Sequence, residues 1–151
     1  MTYASNAYRQ NAARGASPVG QVALLYEQIV ADLRRASQAI EAQDIEDRTN
    51  AINHAILIVG HLQSKLNFEA GGEVARHLEQ FYELARQRLI EAQCQASPEI
   101  LQEQIGFFLD LRDAWKEAER ASAVPAGSLP GAAPTMPDNT ASDGGSAGWS
   151  A

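Results

Sequence analysis

The sequence predicts an all-α fold, an antiparallel up-down four-helix bundle, and three observations carry that prediction. Between residues 17 and 121, apolar side chains recur every three or four positions, the period of a helix that buries one stripe. Start and stop signals cut that span into four pieces of similar length, joined by connections too short for anything but antiparallel neighbours. No strand-like alternation interrupts them.

The first helix is expected over 17–42. Ser17-Pro18 supplies an N-cap and a proline at the first helical position, where its missing N–H costs nothing. Its stripe runs Val22, Leu25, Ile29, Leu33, Ala36 and Ile40. Asp44 caps the second helix, 44–68, and Glu46 and Asp47 complement the positive end of its dipole. Ile52, Ala55, Ile56, Val59, Leu62 and Leu66 form its stripe. Gly71-Gly72 breaks the chain before the third helix, 72–94, with Val74, Leu78, Phe81, Ala85 and Leu89. Ser97-Pro98 repeats the first cap and opens the fourth helix, 98–121, with Leu101, Ile105, Phe108, Leu111, Trp115 and Ala118. Trp115 is expected in the core, where large aromatic side chains dominate bundle interiors.

Two flanks remain. Residues 1–16 form a short polar N-terminal segment whose only large side chains are Tyr3 and Tyr8. Residues 122–151 hold four Pro, five Gly, seven Ala and five Ser with no basic residue. Such a tail buries too little apolar surface to offset chain entropy and is expected to be disordered, with Trp149 exposed in it.

The charge balance excludes several functions. The chain carries 19 acidic and 12 basic side chains in 151 residues, a net charge of −7. An acidic body without a basic cluster argues against nucleic acid and anionic membranes. No apolar run approaches the ~18 residues that span a bilayer, and residues 1–14 lack the apolar core of a secretory signal, so a cytoplasmic location is expected. Cys94 is the single cysteine, which excludes an internal disulfide and a thiolate zinc site.

Chemistry is equally sparse. The Glu-x-x-His pairs of carboxylate-bridged bundles are missing, since Ala51, Ile58 and Val74 stand three residues before His54, His61 and His77. His54 and His61 lie about 10 Å apart along a helix, too far to share one ion. There is no nucleophile elbow and no phosphate-cradling loop after a strand. The reading is no enzyme, no metal and no cofactor. What stands out is residues 51–62, whose apolar side chains cover more than one helical face. Ile56 and Ile58 point about 200° apart at the helical pitch. That surplus is either central in the bundle or receives something from outside.

In order along the chain stand Ala7-Tyr8, Ala16-Ser17-Pro18, Leu24-Leu25-Tyr26-Glu27 and Ala36. Next come Ile52, Ala55, Ile58, Val59, Leu62 and Leu66, then Gly71-Gly72-Glu73-Val74-Ala75, Leu78, Tyr82 and Arg88-Leu89. The last block is Leu111-Arg112-Asp113-Ala114-Trp115-Lys116-Glu117-Ala118. Together, over about residues 3–121, these blocks resemble the FliS family of flagellar secretion chaperones. Departures fall at Gly15, Asn67-Phe68, His77 and Phe81, positions that touch caps and packing. The resemblance implies a bundle whose surface grooves receive the C-terminal helical segments of flagellin, prevent premature polymerisation, and hand the client to the flagellar export apparatus. It also implies that Tyr8, with Tyr3, belongs to a lid over the groove.

The groove is expected on the second and third helices, with Ile52, Ala55, Ile56, Leu57 and Val59 meeting Leu78, Phe81 and Tyr82. Weak homodimerisation is a further expectation. The alternative is a homo-oligomeric structural bundle that self-associates through the same apolar face and has no secretory client.

Overall fold

The computed structural model describes residues 17–122. The expectations for the lid residues Tyr3 and Tyr8, and for the tail with Trp149, lie outside the described residues. Four helices make up the remainder: α1 (Pro18–Glu41), α2 (Ile45–Ser64), α3 (Phe68–Gln95) and α4 (Pro98–Ser122).

Each start is fixed by a short polar side chain that accepts a hydrogen bond from an otherwise unpaired backbone N–H. Ser17 Oγ accepts from Gly20 at 3.0 Å, Asp44 Oδ1 from Asp47 at 3.0 Å, and Asn67 Oδ1 from Ala70 at 3.0 Å. Ser97 Oγ accepts from Ile100 at 3.2 Å. Two turns between helices place non-glycine residues in left-handed backbone: Gln43, φ 58°, after α1, and Ala96, φ 48°, after α3.

Asn67 opens α3 four residues ahead of the sequence expectation. A single turn, Phe68–Gly71, precedes a kink at Gly72, whose φ of 52° and ψ of −126° are non-helical. An L side chain rarely takes that conformation, so the glycine pair breaks the helix from inside its first turns.

Polar contacts between helices establish the antiparallel order. Arg35, late in α1, holds Asp47, early in α2. Arg48 and Gln63 of α2 reach Gln93 and Glu83 of α3, in reverse sequence order. Arg88 of α3 pairs with Glu103 of α4 at 2.7 Å, and Arg112 of α4 returns to Glu27 of α1 at 3.3 Å. α1 packs broadly on both α2 and α4, while the seam between α3 and α4 is the lightest of the four. Tyr26, Ile29, Leu33, Ile52, Val59, Leu89, Leu101 and Phe108 have no exposed surface and form the centre of the core. Trp115 joins them at 2% exposure.

Candidate functional site

The middle of the bundle contains polar chemistry serving structure. The hydroxyls of Tyr26 on α1 and Tyr82 on α3 meet at 2.6 Å across the core. Burial is the first cause that raises the pKa of both phenols above the ordinary value, so both remain protonated at neutral pH. The Trp115 indole approaches the Tyr26 hydroxyl without forming a well-aligned hydrogen bond. Between α1 and α2, the buried carboxylate of Asp32 lies 2.6 Å from His54 Nδ1 and accepts from Gln28 Nε2 at 3.2 Å. His54 therefore serves to satisfy a buried acid. Its partner is 22 positions away, and only the pairing of two helices reveals it.

The expected groove residues separate into two groups. Ile52, Ala55 and Val59 have no exposed surface, and Leu78 and Tyr82 are 5% and 2% exposed. These five are core side chains in this conformation. The physical reason is position: α2 sits between α1 and α3, so its 52–55–59 face is covered from both sides. Ile56 and Phe81 are half-buried against the core, and Leu57 is 69% exposed.

Phe81 also faces a different neighbour from the one expected. Its ring lies 6.4 Å from Phe107 and 5.3 Å from Phe108, edge to face, which places it in the α3–α4 seam. Leu57, on the outer side of α2, and Phe81, in the α3–α4 seam, thus belong to separate patches. Five further apolar side chains outside the expected groove are exposed: Ile45 at 65%, Leu84 at 58%, Ile90 at 51%, Phe107 at 45% and Phe68 at 42%. Leu84, Ile90 and Phe107 fall off the main stripes of their helices, and that is the signal that could have found them.

Among the described residues no group of three His, Cys, Asp or Glu side chains converges as a metal site, and no helix is long and apolar enough to cross a membrane. Cys94 is exposed. Four antiparallel helices closed around one apolar core, with apolar side chains left on the surface, define an all-α bundle.

Comparison with known proteins narrows that class. Residues 1–122 match the family described as flagellar protein FliS. The flagellar secretion chaperone FliS of Campylobacter jejuni is 35% identical over 121 residues, covering 80% of this chain and 94% of that protein. The flagellar secretion chaperone FliS of Bacillus subtilis is 32% identical over 112 residues, 74% of this chain and 83% of its own length. That of Salmonella typhimurium is 28% identical over 109 residues, 72% of this chain and 81% of its own. The chain belongs to the FliS family, a family of chaperones and not of enzymes.

Proposed function

We propose that this protein is a cytoplasmic export chaperone that binds the C-terminal helical segments of flagellin, prevents their premature polymerisation and delivers flagellin to the flagellar export apparatus. The observation that carries this reading is the family match across the whole bundle, with relatives named flagellar secretion chaperones. The surface supports it. With the core already closed, Leu57 and Ile90 stay in water and Ile56 is only half covered. These are the side chains available to an incoming amphipathic helix, with Ile52, Ala55, Val59, Leu78 and Tyr82 forming the rigid backing beneath them.

A client that is unstructured until bound loses chain entropy on docking, so affinity stays moderate and release for export needs no nucleotide. Light scattering of the full chain, alone and with the C-terminal segment of flagellin from the same organism, tests the proposal. A chaperone gives a one-to-one heterodimer and loses any weak homodimer it forms. An oligomer indifferent to the segment would instead support a structural bundle.

A further inference from the structure

The α3–α4 seam carries a second surface feature, with a chemistry of its own. Along α4, Glu99, Glu103, Phe107, Asp110, Ala114 and Glu117 follow one another at four- and three-residue spacing, one row on one side of the helix. All but the half-buried Ala114 are exposed, and Phe107 sits one turn from an acid on either side. Of the basic groups of α4, Arg112 and Lys116 reach Glu27 of α1, on the opposite flank, at 3.3 and 3.6 Å. Arg88 pairs with Glu103 at 2.7 Å and Arg120 with Glu117 at 3.0 Å. Asp110 has no ion-pair partner among the described residues, and the contact of Glu99 is the Ser97 hydroxyl at 3.3 Å.

Across the seam, α3 contributes Phe81, in ring contact with Phe107, and one turn further on Leu84, 58% exposed. Gln104 lies next to Glu103 and is 2% exposed, and its Oε1 receives no hydrogen bond, so an acceptor on this helix is unmet by the bundle's own groups. The seam is also the lightest helix contact in the fold.

We infer that the α3–α4 seam is a docking face for an amphipathic helix whose apolar stripe is bordered by lysine or arginine. Phe81, Leu84 and Phe107 take the stripe, and Asp110, with Glu99, takes the basic border. From Glu103 to Glu117 the row runs about 21 Å at the helical rise, the length of a partner helix of about four turns. Acids placed beside an apolar strip select the partner's charge and speed encounter more than they add affinity. A helix bordered by acids is rejected on the same ground. The assignment goes beyond the flagellin reading and does not depend on it, because charge and apolar spacing define the occupant.

The test uses the full chain and a labelled synthetic peptide of about 14 residues, with leucines at helical spacing bordered by lysines. A counterpart carries glutamates in place of the lysines. Fluorescence anisotropy is expected to show the lysine peptide binding at least about tenfold more tightly than the glutamate peptide. Phe107→Ala is expected to weaken it about tenfold, and Asp110→Asn about two- to threefold, with the loss growing at low salt. Glu46→Gln, remote from the seam, is expected to leave it unchanged. Equal binding of the two peptides overturns the inference. So does indifference to both Phe107→Ala and Asp110→Asn in variants that keep their helicity. A Glu46→Gln effect as large as that of Asp110→Asn also overturns it, since that marks general attraction to an acidic protein. The flagellin segment is titrated in parallel. If it fails to bind while the lysine peptide shows the expected dependences, the flagellin reading falls and the seam assignment stands.

Discussion

The buried tyrosine pair makes a prediction whose size follows from burial alone. Tyr26 has no exposed surface and Tyr82 only 2%, and their hydroxyls meet at 2.6 Å. Tyr82→Phe removes one hydroxyl and leaves Tyr26 with only the poorly aligned Trp115 indole beside it. A buried polar group without a partner costs about 1–3 kcal/mol, so each single substitution should destabilise the bundle by that amount. The double substitution Tyr26→Phe with Tyr82→Phe loses one neutral hydrogen bond, about 1 kcal/mol net, and leaves no hydroxyl of the pair unmatched. It should therefore cost less than the two single changes together, with a coupling of at least about 1 kcal/mol. Urea unfolding followed by circular dichroism measures all four corners of the cycle. In heat, each kcal/mol corresponds to about 4–8 °C for a domain of this size. Strict additivity, with the double variant as costly as the two singles combined, would refute the argument that the hydroxyls satisfy each other.

Three further outcomes are expected. Gly72→Ala should lower stability by about 1–2 kcal/mol, although an added Cβ meets nothing within 4 Å, because φ at that residue is +52°. An unchanged urea midpoint would show that the kink relaxes freely. Ala96→Gly, at the left-handed cap of α3, should raise stability by about 0.5–1 kcal/mol, read as a higher thermal midpoint. His54→Ala withdraws the closest partner of the buried Asp32 carboxylate and should cost about 1–3 kcal/mol in the same urea assay.

The helices were largely legible because their signals are local. Ser17, Asp44 and Ser97 each cap a helix where a short polar side chain precedes an apolar run, and each bond spans three residues. The start of α3 was less so. Asn67 caps a turn that Gly72 then interrupts, and the glycine pair is the louder of the two signals. The surface was the least legible part. Helical spacing places Ile52, Val59 and Phe81 on apolar stripes but cannot say which neighbour each stripe meets. That depends on the order of helices around the bundle, which buries Ile52 and Val59 and turns Phe81 toward Phe107 and Phe108. Long-range polar pairs were hidden for the same reason. Tyr26 and Tyr82 are 56 positions apart, and nothing local to either one names the other.

The burial of Val59 also decides which variant is informative about the client. An aspartate there would enter a site with no exposed surface and report on folding, whereas Leu57, at 69% exposure, can change without disturbing the core. The most direct measurement is isothermal titration of the full chain with the C-terminal segment of flagellin from the same organism. The account predicts saturable one-to-one binding that Leu57→Asp weakens about tenfold, with helicity and urea midpoint unchanged. No binding at high micromolar segment, with the bundle folded, would contradict it.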